Sequence, residues 1–355
     1  MSEFHIPTEP IGSIPRPIRL LEEISKGDGA DPALEPLYEE AVRDTIEQFE
    51  ATGSPVITDG EQRKYHNFWT YSVHGLPNTS PDGFRIPFAA GHTRRMLQLT
   101  GGPFRYRMYA DRFLDVALRY AHVPVKQAVI SASALSLMYP ADPIPGYSRE
   151  EFIDDLLLEH ETEIRRCLAK GAHKVQIDFT EGRLAVKLDP SGKLLTSFID
   201  LNNLALSRFS PEDRLRLGVH TCPGADRDST HSAEVDYAEL LPNLFELQVG
   251  NFYIALARES DRIRIQKIIR GHLKPSQRVF LGVVAPIEPR IETPQEICDH
   301  ILEATKYIPV DQLGTTDDCG FSPFSDDTST SRETAFAKVR ARVVGTALAA
   351  RMIGG

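Results

Sequence analysis

Short apolar runs alternate with longer amphipathic stretches along nearly the whole chain, and few folds accommodate that rhythm. The runs are Ile11-Gly12-Ser13, Val56-Ile57-Thr58, Val125 to Leu135, Val175 to Asp178, Leu217 to His220, Phe252 to Leu256, Val279 to Val284 and Gln312 to Thr316. Most have the length and β-branched content of buried strands. Helical patterns lie between them. Arg149 to Ala169 carries apolar residues at helical spacing, with acids in its first turn. Thr293 to Tyr307 opens on a Thr N-cap with Pro at the first helical position, and Ser331 to Met352 is a long final helix. Strand–helix alternation over 355 residues predicts an α/β fold with a mainly parallel sheet. A closed (β/α)8 TIM barrel, one domain over residues 1–355, is expected; a doubly wound open sheet is the alternative. No repeat or Pro/Gly/Ser-rich linker divides the chain.

The placement of polar residues favours the barrel. Glu61, Asp178, His220 with Cys222, and Cys319 all follow apolar runs. In a barrel those strand ends converge on one face, where active sites are built. The formal net charge is −10 with no basic block, which argues against nucleic acid and anionic membranes as partners. No stretch of about 18 apolar residues appears, so no spanning helix is expected. The N-terminal MSEFHIPTEP has no basic segment leading into an apolar run, and four cysteines do not make a disulfide scaffold. A reducing cytoplasm with free or metal-binding thiols is therefore expected. The expected partners are small molecules, and a homo-oligomer is compatible with the sequence.

His220-Thr221-Cys222 is the sharpest local feature. Residues two apart at a strand end point the same way, and imidazole nitrogen and thiolate sulfur are preferred zinc ligands. Asp318-Cys319-Gly320 offers a third ligand in a Gly-bounded turn. Such a separation suits a site assembled by a fold rather than a zinc finger. Cys167 and Cys298 sit inside helical patterns and read as packed thiols. Glu61 and Asp178, each at a strand end, suit binding of an ammonium group or proton transfer. Capping a helix, or pairing with Arg63 or Arg183, is the plainer role for either.

In order, Ile11-Gly12-Ser13, Asp59-Gly60-Glu61 with Arg63, Gln176-Ile177-Asp178, His220-x-Cys222 and Asp318-Cys319-Gly320-Phe321 resemble the catalytic half of cobalamin-independent methionine synthase. The resemblance runs from about residue 8 to about residue 350. The chain is too short for the extra N-terminal barrel of the long synthases, so the single-barrel branch is the match. The resemblance implies a barrel with a Zn2+ ion on His220, Cys222 and Cys319 that binds the homocysteine sulfur. It implies that Ile11 and Ser13 hold the amino-acid carboxylate, with Arg63 nearby. Glu61 and Asp178 would take the amino group and serve as the catalytic carboxylates. The partners would be a small thiol and an alkyl donor.

Three departures from the family pattern bear on the reaction. The synthases place a glutamate zinc ligand on the strand after the H-x-C strand. Here Ala255 and Ala257 stand in that region and Glu259 comes late, so water or Glu259 is the expected fourth ligand. An Asp-x-His after the next strand is replaced by Ala285-Pro286-Ile287. The folate-stacking tryptophan has no match in Val129 to Ser133, and the one tryptophan of the chain is Trp69. A donor other than polyglutamyl folate is expected. Opening of an epoxide by a coenzyme M-type thiol is the alternative, weighed against two carboxylates that would repel a sulfonate. Arg63, Lys64 and His66 beside Glu61 could reverse that local charge. A non-catalytic zinc- and thiol-binding barrel is the second alternative.

Overall fold

The computed structural model describes residues 4–27, 29–64, 68–89, 91, 93–224 and 229–355; His66 lies outside them. Two short antiparallel pairs come first, β1 (Thr79–Ser80) with β4 (Gln98–Leu99) and β2 (Arg85–Pro87) with β3 (Thr93–Arg95). Then β5 (Gln127–Ile130), β6 (Val175–Asp178), β7 (Leu217–Thr221), β8 (Asn251–Ile254), β9 (Arg278–Val284) and β10 (Leu313–Asp317) pair in parallel, in sequence order.

Two segments outside the named strands complete the ring. Ile57 bridges Val125 in parallel at the β5 edge, and Thr8 bridges Thr315 in parallel at the β10 edge. The two segments meet where Ile14 N–H donates to Gly60 O at 3.0 Å and Thr58 Oγ1 donates to Gly12 O at 2.8 Å. This is the (β/α)8 arrangement. The expected second strand is reduced to the Ile57 bridge, and the first bridge falls at Thr8, ahead of the expected run Ile11-Gly12-Ser13. The run Val125 to Leu135 is not one strand either. It ends at Ile130, and Ser131 caps a short helix, Ala132–Ser136, by accepting from Ala134 N–H at 3.1 Å.

The expected helices form with their caps. Arg149–Lys170 starts on a capping box between Ser148 and Glu151 and ends at Gly171, whose φ of 102° only glycine adopts readily. Pro294–Ala304 follows a Thr293–Glu296 capping box, and Arg332–Gly354 follows Ser331. A single apolar cluster runs from Ile6 to Ala350 between helices and sheet. Among the described residues no helix is long and apolar enough to cross a membrane.

The barrel interior is polar below the site. Glu9 takes hydrogen bonds from Lys174 Nζ at 2.5 Å and Tyr253 Oη at 2.6 Å, with Lys126 Nζ at 3.9 Å. Burial opposes its charge, but His173 and these lysines hold its carboxyl far below the usual range. Lys126 Nζ then donates to Gln176 Oε1 at 2.6 Å, and Gln176 Nε2 to Asp178 Oδ1 at 2.8 Å. Buried ions persist only when paired and hydrogen-bonded in this way. The ladder delivers Asp178 to the C-terminal rim in a fixed orientation.

Candidate metal centre and its cavity

On β7 the pleat turns His220 inward, and Cys222 follows on the same side just past the strand end. His220 Nδ1 lies 3.3 Å from the Tyr253 carbonyl oxygen on β8. That contact places a proton on Nδ1 and leaves the Nε2 lone pair unshared. Nε2 is buried and has no hydrogen-bond partner. Cys319 arrives from β10, where the register with β9 shifts between Thr316 and Asp317. The turn packs closely: a Cβ at Gly320 would stand 2.1 Å from Ser13 Oγ, and one at Gly282 would stand 2.0 Å from Asp318 Oδ1. Asp318 Oδ1 in turn accepts from Leu256 and Ala257 N–H, both at 2.8 Å, fixing the end of β8 against the Cys319 turn.

The ligand atoms of His220, Cys222 and Cys319 all lie within 4.8 Å of one another, and all three residues are buried. Tetrahedral zinc with Zn–N about 2.0 Å and Zn–S about 2.3 Å needs ligand separations of about 3.5–3.8 Å. Small side-chain movements suffice to reach that. Burial pushes both thiols up, but Cys319 and His220 face the Cys222 sulfur and hold its thiol well below the usual range. Cys319 itself is driven well above. An unpartnered imidazole nitrogen close to two sulfurs is a donor set that suits zinc. The residues fit the ion that the sequence implies.

Among the described residues no fourth His, Cys, Asp or Glu joins this group. Ala255, at the end of β8, clusters with Cys222 and Cys319. Glu259, expected as an alternative to water, is held elsewhere: Arg183 Nη1 binds its Oε1 at 3.0 Å. Arg183 also lies over the Tyr237 ring at 4.4 Å and donates to the Val235 carbonyl at 2.8 Å.

One cavity, about 770 Å³ counting the part that opens to solvent, is lined by the three ligands together with Ile11, Ser13, Glu61 and Asp178. Ile11 N–H is committed to Asp317 Oδ2 at 3.2 Å. Ser13 Oγ accepts from Ser322 N–H at 3.1 Å, which turns its own hydroxyl hydrogen away from that loop. Glu61 sits in the left-handed region, φ 57°, a strained position for a residue other than glycine. Arg16 pins that turn by donating to the carbonyls of Glu61, Gln62, Lys64 and Phe324 at 2.7–3.2 Å. Lys64 Nζ lies 3.4 Å from Glu61 Oε1, so this carboxylate already has a buried counter-ion. Burial, followed by the nearby Glu61, raises Asp178 to about 6.

Arg63 is placed differently from the expectation. Its guanidinium forms two hydrogen bonds with Glu35, at 2.7 and 2.9 Å, and it does not line the cavity. Arg63 lies in the turn after Glu61, and its side chain reaches Glu35 instead of the cavity.

Sequence reasoning missed three features of the cavity. Glu181, three residues past Asp178, lines it; Ser131 and Ser133 both donate to its Oε1, while Oε2 is buried without a partner. Burial raises its carboxyl to about 7. The two serines inside an otherwise apolar run were the available signal. His231, after the H-x-C loop, also lines the cavity, and burial lowers it to about 4. The third is an apolar outer wall that includes Phe68, Trp69, Phe88 and Phe324. No Lys or Arg is among the lining residues described.

A parallel α/β barrel with a buried His-Cys-Cys cluster at its C-terminal rim defines the class, and the comparisons narrow it. No family model matches the chain. It is 22% identical to the methionine synthase of Sulfurisphaera tokodaii over 96% of this chain and 91% of that protein. It is 23% identical to an uncharacterised Bacillus subtilis protein, YxjH, over 93% of this chain and 91% of the relative. Among solved structures, the fold is similar to a B12-independent methionine synthase from Shewanella. The TM-score is 0.75 at 18% identity, covering 98% of this chain and 99% of that one. Together these findings support a cobalamin-independent methionine synthase-like family.

Proposed function

We propose that this protein is a zinc-dependent thiol alkyltransferase, with homocysteine as acceptor and methionine as product. The observation that carries the reading is the buried His220–Cys222–Cys319 cluster, which shares one cavity with Asp178 and Glu61. The family relationship, and a Shewanella neighbour described in complex with selenomethionine, support the same substrate class.

Zinc, when bound, supplies the Lewis acidity that lets the acceptor thiol ionise at neutral pH. This chain's residues do the rest. Asp178, oriented by Gln176, receives the acceptor's ammonium group. Ser13 offers its hydroxyl hydrogen to the carboxylate. The Tyr253 carbonyl keeps His220 in the tautomer that leaves Nε2 available. Ala255 fills the place beside the cysteines with a methyl group, leaving room for the incoming sulfur. The apolar outer wall excludes water from the nucleophile, which raises its reactivity.

A sulfonate-bearing thiol fits less well. It would enter a cavity lined by Glu61, Asp178 and Glu181 and by no described Lys or Arg. The experiment is homocysteine-dependent loss of free thiol by the zinc-loaded enzyme across a panel of methyl donors. Methionine formation supports the reading. Thiol loss with an epoxide and coenzyme M, but never with homocysteine, would replace it.

A further inference from the structure

We propose that the alkyl donor is a methylated onium cation, a sulfonium or quaternary ammonium, seated among the aromatic rings of the outer cavity wall. The inference rests on the alkyl-transfer reading above and adds the class of the second substrate.

The first support is the shape and chemistry of the wall. Phe324 stands at the centre of a group of rings. Its centroid is 5.8 Å from those of Phe68 and Trp69 and 5.9 Å from that of Phe88, at interplanar angles of 65°, 79° and 86°. Centroids this close at steep angles are edge-to-face contacts, so the three rings pack against Phe324 and together form an aromatic wall of the cavity. Aromatic walls attract quaternary ammonium and related cations through the negative faces of their π-systems. Phe324 already carries such a contact, with the Arg94 guanidinium 3.9 Å from the ring centroid.

The second support is the charge balance. Lys64 lies 3.4 Å from Glu61 and its charge also acts on Asp178, whereas Glu181 takes its hydrogen bonds from two serine hydroxyls. The acceptor's ammonium group takes Asp178. Glu181 Oε2, buried and unpartnered in the same cavity, is left for a second cation. Among the described lining residues an anionic donor would meet Glu61, Asp178 and Glu181 and no Lys or Arg.

The third support is the leaving group. A thiolate that attacks an onium methyl forms one S–C bond and breaks one C–S or C–N bond. The departing electron pair stays on a sulfide or tertiary amine, which leaves neutral without gaining a proton. An amine bearing a methyl group in neutral form requires a proton on departure. Where the synthases carry their Asp-x-His, this chain has Ala285-Pro286-Ile287, and Ala285 N–H is tied to Glu292 Oε1 at 2.9 Å. The onium reaction has no need of the missing histidine.

Trp69, the one tryptophan of the chain, lines the cavity in this wall, so protein fluorescence reports its occupancy directly. Zinc-loaded enzyme is titrated with choline and with 3,3-dimethyl-1-butanol, its uncharged carbon isostere. Trimethylsulfonium, methyltetrahydrofolate and an epoxide are then tested as donors to homocysteine. The inference expects choline to bind about tenfold or more tighter than the isostere, a preference reduced in Glu181→Gln. It also expects trimethylsulfonium to yield methionine and dimethyl sulfide. Equal or tighter binding of the isostere overturns it, as does methionine formation from the folate with none from the sulfonium; the alkyl-transfer reading survives both. Onium binding with no thiol methylation by any donor overturns the donor assignment and the alkyl-transfer reading together.

Discussion

Arg183 Nη1 sits 3.0 Å from Glu259 Oε1, and this ion pair draws the acid after β8 away from the two cysteines. Ala255 occupies the nearer position. On the proposed reading the chain would contribute three protein ligands and leave a fourth position to water or substrate sulfur, as a catalytic zinc requires. Zinc content separates the alternatives. Glu259→Gln is expected to keep about one zinc per chain, while Cys319→Ala loses it. Zinc loss in Glu259→Gln would make Glu259 a ligand after all.

Asp178 and Glu61 share the cavity but differ in their partners. Asp178→Asn is expected to weaken homocysteine binding by about 1.5–3 kcal/mol, the value of a hydrogen bond to a charged group. Glu61→Gln should act less, because Lys64 already neutralises Glu61. Zinc content should not change in either. Isothermal titration of the zinc-loaded variants decides, and unchanged affinity in Asp178→Asn would remove it from the site.

Much of this was legible in the chain. Parity on β7 placed His220 and Cys222 on one face, and the Gly-bounded Cys319 could be paired with them across the barrel. The strand runs and capped helices lie close to where the spacing predicts. What failed depended on contacts between distant segments. The partner of Arg63 is Glu35, and that of Glu259 is Arg183. Glu181 is recognisable only once Ser131 and Ser133 are known to face it. The aromatic wall brings Phe68, Trp69 and Phe88 against Phe324, and no local pattern encodes that proximity.

Arg16 is expected to act through the turn it holds. It is fully buried and donates to the carbonyls of Glu61, Gln62, Lys64 and Phe324. Arg16→Met orphans those carbonyls and should lower stability by about 3–5 kcal/mol, given about 1–3 kcal/mol for each buried group left unpaired and partial rescue by water. Homocysteine affinity should fall while zinc stays bound. Urea unfolding and binding measurements check both parts, and a loss below about 1 kcal/mol would contradict the clamp.

Glu163 gives a pH signature remote from the metal. It accepts from Tyr71 Oη at 2.8 Å and Ala110 N–H at 2.9 Å, and its Oε2 is buried without a partner. Burial raises its carboxyl from 4.5 to about 7. An acid raised on folding favours the protonated state, so its cost is absent below about pH 4.5, grows as pH rises, and is complete above about pH 7. Glu163→Gln should therefore stabilise the fold by about 2–3 kcal/mol at pH 8 and by little at pH 4.5. Chemical denaturation at the two pH values tests the sign. Destabilisation at pH 8 would show that the ionised carboxylate is satisfied.

The zinc thiolate itself is most directly read by zinc K-edge X-ray absorption on the zinc-loaded enzyme, with and without L-homocysteine. One nitrogen, two sulfurs and one oxygen are expected without the thiol, from His220, Cys222, Cys319 and water at the open position. One nitrogen and three sulfurs are expected with it. A sulfur count that stays at two on saturation with homocysteine would contradict direct activation of the acceptor at this centre.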